Sequence, residues 1–196
     1  MNCLGNSKGL SPDLFVKTTA AFSRLHRAAE ISEQYYESPL LVCYSGGKDS
    51  DVLVELARRS GIRFEVVHSH TTADSPITVR YTRQRLAEFA SYGIPVSVHY
   101  PTQDGKRVSM WSLISHQKMP PTRKARYCCE VLKEAVGKDR CVATGVRWSE
   151  SVRRQLSRGI FEAFAKSQDD RVIVATDVAE MGGGITPCTT TQASHR

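Results

Sequence analysis

The chain has 196 residues, 40% hydrophobic and 24% charged, a length and balance that suit one α/β domain around a single core. No apolar run approaches the roughly 20 residues that cross a bilayer, so a helical membrane protein is not expected. The formal net charge is +7. Arg and Lys are scattered but enriched in three places: Arg80, Arg83 and Arg85; Arg123, Lys124 and Arg126; and Arg147, Arg153, Arg154 and Arg158. These are either solvated helix faces or groups that converge on a polyanion. Nucleic acid stays open as a partner through counterion release, but no aromatic-interleaved stacking surface is visible.

Residues 1–11 are polar and read as a flexible N-terminus. They lack the charged-then-apolar pattern of a secretory signal, so a cytoplasmic location is expected. Ser11-Pro12 reads as a helix start, with Ser as N-cap and Pro at N1. Apolar residues then recur with helical spacing from Phe15 through Leu25 to Ile31, and the pattern ends before Ser38-Pro39.

Leu40 to Tyr44 is a short apolar run, as expected of a central parallel strand covered on both faces. Ser45-Gly46-Gly47-Lys48-Asp49-Ser50 follows, and Val52, Leu53, Leu56 and Ala57 then share one helical face up to Gly61. A glycine turn opening a helix presents backbone N–H groups and the positive end of the helix dipole, which together favour an anion. Lys48 adds a mobile positive charge, and Ser45 and Ser50 add hydroxyls. The spacing is not that of a Walker A loop, which needs four residues between its first glycine and the Gly-Lys-Ser/Thr end. A ligand-free glycine turn is the alternative.

Phe64 to His68 reads as a second strand, leading into Thr71-Thr72-Ala73-Asp74-Ser75-Pro76. Ligands of doubly wound sheets sit beyond the carboxyl ends of strands, so Thr71 and its neighbours are candidates for nucleotide contact. Asp74 or Ser75 before Pro76 reads equally well as an N-cap. His68 and His70 lack a third ligand nearby and read as hydrogen-bonded structure rather than as a metal pair. A helix over 77–91, a strand over 96–100, a turn over 101–107 and a short core-packing helix over 110–114 complete this part. Two prolines, Pro120 and Pro121, then precede a basic cluster and the vicinal pair Cys128-Cys129. Helical spacing groups Arg126, Cys129, Glu130 and Lys133 on one surface. Six cysteines in a cytosolic chain are not expected to form structural disulfides, and Cys43 and Cys141 read as buried small hydrophobes.

Cys141 to Val146 reads as a fourth strand, from whose carboxyl end Arg147 would project with the two-point grip that suits phosphate. Arg171 to Ala175 is the last strand candidate. One domain over 12–177 and a disordered, Gly- and Thr-rich tail over 178–196 are expected.

Three blocks resemble one family in order. Ser45 to Ser50 matches the PP-loop, Ser-Gly-Gly-x-Asp-Ser. Cys128-Cys129 with Lys133 resembles the Cys-Cys block of many reductases of phosphoadenosine phosphosulfate (PAPS) and adenylyl sulfate (APS). Gly145-Val146-Arg147 with Glu150 and Arg153 resembles their Gly-Ile/Val-Arg-x-x-Glu-Ser-x-x-Arg block. The resemblance covers about residues 40 to 155. It implies a PAPS reductase-like protein of the adenine nucleotide α-hydrolase superfold, a Rossmann-like, three-layer, doubly wound parallel sheet. It further implies phosphate or sulfate binding by Ser45, Gly46, Gly47, Lys48, Asp49, Ser50 and Arg147, with Lys48, Lys133 and Arg147 as catalytic cations, while Thr71 stays a nucleotide-binding candidate from its place at a strand end.

The departures are specific. No Glu-Cys-Gly-x-His motif is present, and no Cys-x-x-Cys follows the Cys-Cys block. Cys128 and Cys129 therefore supply only part of a [4Fe–4S] ligand set. The chain reads as a truncated, divergent or mobile-element copy. Three functions compete. The first is a sulfonucleotide reductase using a thioredoxin-like reductant. The second is an ATP pyrophosphatase-type adenylating enzyme with Mg²⁺, as in sulfur modification of nucleic acid. The third is a nucleotide-binding module that has lost catalysis or completes its site with a partner chain. A homo-oligomer is expected.

Overall fold

A computed structural model describes residues 11–103, 105–137, 139–146, 161–166 and 169–175. Residues 1–10, Arg147 with its following block, Cys188 and the tail expected from 178 lie outside the described residues. Helix α1 (Pro12–Tyr36) starts as its sequence predicts: Ser11 Oγ accepts from the Leu14 N–H at 3.4 Å, and Pro12 occupies the first turn. It ends at Glu37 in the left-handed region, just before the expected Ser38-Pro39 break.

Strand β1 (Leu40–Cys43) leads through helix α2 (Lys48–Ser60) to β2 (Phe64–Ser69), and helix α3 (Pro76–Ser91) leads to β3 (Val96–His99). β1 pairs parallel with β2, and β2 with β3. Residues 101–107, expected as a turn, contain a small antiparallel hairpin of β4 (Thr102–Gln103) and β5 (Lys106–Arg107). Helices α4 (Met110–Gln117) and α5 (Tyr127–Leu132) and a 3-10 turn (Glu134–Gly137) then carry the chain back across the sheet. β6 (Cys141–Thr144) lies on the other flank of β1, parallel to it. β7 (Phe161–Lys166) and β8 (Asp169–Ala175) complete the order β3-β2-β1-β6-β8-β7, in which β7 is the one antiparallel strand. The strand order reverses between β1 and β6. This is the switch point of a doubly wound, Rossmann-like α/β fold, where strand ends splay and leave room for a ligand.

The alternation of side chains along β1 explains the layers. Leu40, Val42 and Tyr44 join Phe64, Val66, Cys141 and Ala143 against Ala21, Leu25 and Ala28 of α1, Leu53, Leu56 and Ala57 of α2, and Leu86 and Phe89 of α3. Leu41, Val67 and Val142 form a smaller cluster on the opposite face, packed by Cys43 and by Val136 of the 3-10 turn. Both faces of β1 are therefore covered, which is why its sequence is an unbroken apolar run.

Burial raises the thiols of Cys43 and Cys141 from 9.0 to about 12. A raised folded-state value favours the native state fully below the unfolded thiol's range and loses that contribution as pH climbs from about 9 towards 12. Urea unfolding should therefore show a larger loss of stability between pH 9 and pH 11 in the wild type than in Cys141→Ala. Equal losses would contradict the burial of this thiol.

Candidate functional site

The turn between β1 and α2 lies at the carboxyl edge of the sheet and is built from its own short side chains. Gly46 holds φ +78°, a left-handed conformation that a side chain rarely adopts, and Gly47 is the N-cap of α2. Having no side chain, Gly47 caps nothing, so the first N–H groups of α2 carry no side-chain cap. The buried Ser50 hydroxyl donates to Gly47 O at 2.7 Å and accepts from the Ser45 N–H at 3.3 Å. The Ser45 hydroxyl also donates to Ser50 Oγ at 3.3 Å and accepts from the Gly47 N–H at 3.4 Å. The two serines thus brace the turn from inside. Lys48 is exposed, and among the described residues no side chain pairs with its ammonium. Asp49 is partly buried in the first turn of α2.

The neighbouring strands close on this turn. A Cβ on Gly145, just past the end of β6, would stand 3.1 Å from the Asp49 carbonyl carbon and oxygen and 3.3 Å from the Ser50 nitrogen. A side chain there would force the α2 backbone to give way, so the absence of a Cβ at Gly145 allows β6 this close approach. On the β2 side, the buried Thr71 hydroxyl donates to Asp74 Oδ2 at 2.5 Å and accepts from the Ala73 N–H at 3.4 Å, so it is engaged within its own loop. Ser75 is the N-cap of α3, accepting from the Thr78 N–H at 3.3 Å. Thr72 reaches further, its Oγ1 accepting from the Met110 N–H at the start of α4 at 2.8 Å. His68 is structural: its Nδ1 lies 2.9 Å from Tyr44 O, while His70 packs against the Tyr100 ring.

Sequence reasoning assigned no role to Asp51, although it is the residue after the glycine motif. Its carboxylate accepts from the Tyr44 hydroxyl at 3.0 Å, the Tyr81 hydroxyl at 2.8 Å and Arg85 Nε at 3.1 Å. One side chain therefore ties the end of β1, the first turn of α2 and the outer face of α3. Burial first, and then the Asp51 carboxylate, push the Tyr44 hydroxyl far above its ordinary range and keep it a donor. Asp51 is a lone carboxylate before the apolar Val52-Leu53-Val54, and two of its partners, Tyr81 and Arg85, lie 30 and 34 residues away, beyond any helical spacing.

Cys128 and Cys129 lie in α5. Arg126, the N-cap residue, directs Nη2 at Cys129 Sγ at 3.5 Å, and Lys133 is the C-cap, its N–H donating to Cys129 O at 3.0 Å. The surface expected from i,i+3 and i,i+4 spacing is thus a single short turn, with the Lys133 side chain exposed. Burial, and then the neighbouring Cys129, push the Cys128 thiol up. Among the described residues no three His, Cys, Asp or Glu side chains group as a metal site. Two vicinal thiols are half of the four a [4Fe–4S] cluster uses, so the described residues do not by themselves fit one. A cleft of about 280 Å³ on the second face, lined by Leu41, Glu65, Val67, His99, Val136 and Arg140 among others, contains no residue of the glycine turn. An Arg140–Glu65 ion pair stands in it.

A helix start without a side-chain cap, beside an exposed lysine and set where the strand order of a parallel sheet reverses, places the chain in the class of doubly wound α/β proteins. Within that class the chain belongs to the phosphoadenosine phosphosulfate reductase domain family, whose model matches residues 39–169. Among curated proteins, none matches the chain. Solved structures similar in fold include the NH3-dependent NAD synthetase of Campylobacter jejuni, at 11% identity and TM-score 0.47, with 76% of this chain and 63% of that one covered. Yeast FAD synthetase follows at 12% identity and TM-score 0.46, covering 87% and 57%. The FMN adenylyltransferase of Candida glabrata stands at 10% and 0.43, covering 89% and 54%. The chain thus spans little more than half the length of the last two. No helix among the described residues is long and apolar enough to cross a membrane.

Two outcomes follow from this geometry. Asp51→Ala leaves Tyr44, Tyr81 and Arg85 without their shared acceptor and should lower unfolding stability by about 2–4 kcal/mol in urea titrations, with Asp51→Asn recovering part of it. Gly145→Ala presses on the α2 backbone and should weaken pyrophosphate binding more than it lowers the melting temperature. Gly61→Ala, at φ +71° in open space, should lower stability by roughly 1 kcal/mol and leave binding intact.

Proposed function

We propose that the chain is an adenine-nucleotide-binding enzyme that acts on a sulfonucleotide, PAPS or APS, with its phosphate or sulfate end held by the glycine turn. The observation that carries this reading is the uncapped N-terminus of α2 beside an exposed Lys48 without a partner among the described residues. Membership of the family supports it. In this reading the backbone of Gly46, Gly47 and Lys48 receives the anion, Ser45 and Ser50 hold the turn's shape, and Asp49 starts the helix. Thr71 closes the floor of the site through Asp74. Lys48, Lys133 and Arg147 supply the positive charge that stabilises a leaving or transferring oxyanion. Reduction needs electrons, and a thioredoxin-like reductant or a partner chain is the source this reading requires.

A second reading has its own support. Sulfonucleotide reduction needs a nucleophilic thiol, and the sequence carries no Glu-Cys-Gly-x-His motif to supply it. The adenylating alternative needs no such thiol: ATP with Mg²⁺ would transfer its adenylyl group to an acceptor and release pyrophosphate from the same turn. No step is assigned to a cluster, and Cys128 and Cys129 enter only as partial ligands that other thiols would have to complete.

A thermal-shift series with ATP·Mg²⁺, APS, PAPS and AMP separates these readings. A ligand at about 100 times its dissociation constant stabilises the native state by about 2.7 kcal/mol. Stabilisation by PAPS or APS over ATP supports the first reading, and the reverse order supports the second. Lys48→Ala should remove most of the shift in either case. No shift with any nucleotide would overturn both.

A further inference from the structure

Thr82 lies on α3 and is 1% exposed, yet its hydroxyl has no hydrogen-bond partner among the described residues. A buried hydroxyl without a partner is unfavourable, and in a native fold it calls for an explanation. Its position supplies one. A Cβ built on Gly46 would stand 2.5 Å from Thr82 Oγ1 and 3.8 Å from Thr78 Cγ2. The hydroxyl therefore faces the backbone of the first glycine of the turn from below. The same helix is latched to the start of α2 by Tyr81 and Arg85 through Asp51, so α3 cannot readily shift to relieve the mismatch.

We propose that Thr82 is a positioning residue of the anion turn, whose hydroxyl gains its partner, the Gly46 carbonyl, only when an anion occupies the turn. The inference rests on the nucleotide reading of that turn. One peptide group joins the Gly46 carbonyl to the Gly47 N–H, and the two point in opposite directions across its plane. At rest the exposed Ser45 Oγ accepts from the Gly47 N–H over a long 3.4 Å bond that is readily exchanged. An arriving anion takes over that N–H and rotates the peptide. The rotation brings the Gly46 carbonyl over Thr82, which donates to it. Glycines on both sides of the peptide permit the rotation. An interaction made in the loaded state alone shifts the equilibrium towards that state.

Thr82→Val keeps the shape and removes the hydroxyl, while Thr82→Ser keeps the hydroxyl. Calorimetric titration with PAPS and with ATP·Mg²⁺ should show Thr82→Val binding about threefold to tenfold more weakly than wild type, the range of one neutral hydrogen bond. Thr82→Ser should restore affinity to within about twofold. Without ligand, the urea midpoint of Thr82→Val should equal or exceed that of wild type, because an unpartnered hydroxyl has been removed. A lower midpoint would mean that the hydroxyl is already satisfied at rest, and would overturn the inference. Wild-type affinity in Thr82→Val would overturn it too, while leaving the nucleotide reading standing. A wild type that binds neither nucleotide would remove both.

Discussion

The carboxylate of Asp51 is the constraint on which the carboxyl edge of this sheet depends. A parallel sheet leaves its strand ends without regular partners, and loops there hold position only if something clamps them. Here the clamp is one side chain that accepts from β1 through Tyr44 and from α3 through Tyr81 and Arg85. The apolar body of the same cluster reinforces it. Tyr44 meets Phe89 edge-on at 5.3 Å, and the Arg85 guanidinium lies over the Phe89 ring at 4.7 Å. The glycine turn is short, and these neighbours add to the bracing that its own Ser45 and Ser50 supply.

The proposed anion binding asks the turn to combine two tasks. It would have to be rigid enough to present N–H groups at one place, and free enough for its peptides to rotate towards an anion. Rigidity comes from outside the motif, through Asp51, and from inside it, through the Ser45–Ser50 pair. Freedom comes from Gly46 and Gly47. The close approach of Gly145 adds the third wall, and its lack of a Cβ is what lets β6 end against the α2 backbone. The vicinal cysteines stand apart from this scheme. They occupy a helix of six residues, where Arg126 Nη2 donates to Cys129 Sγ at 3.5 Å.

Much of the fold was legible because its signals are local. The apolar runs of β1, β2 and β6, the Ser11-Pro12 and Ser75-Pro76 helix starts, and the left-handed Gly61 each express a rule that spans only a few residues. The hairpin of β4 and β5 was read as a turn because two-residue strands carry no period. β7 was missed for a different reason: an edge strand beside β8 is specified by its partner rather than by its own pattern. Of the candidate site, the PP-loop and its place before a helix could be read directly. The engagement of Thr71 with Asp74 could not, because a loop hydroxyl's partner is chosen by loop geometry.

By itself, the sequence determined the class of the fold, the glycine turn and the family, since apolar periodicity and a contiguous motif are properties of neighbouring residues. Only the tertiary structure decided which residues support that turn. Asp51 with Arg85, Gly46 with Thr82, and Gly145 with Asp49 are pairs separated by tens of residues along the chain. They meet because parallel strands of one sheet bring their carboxyl ends to a common edge. Contacts of that kind depend on strand order and on helix placement, and neither is written in any single stretch.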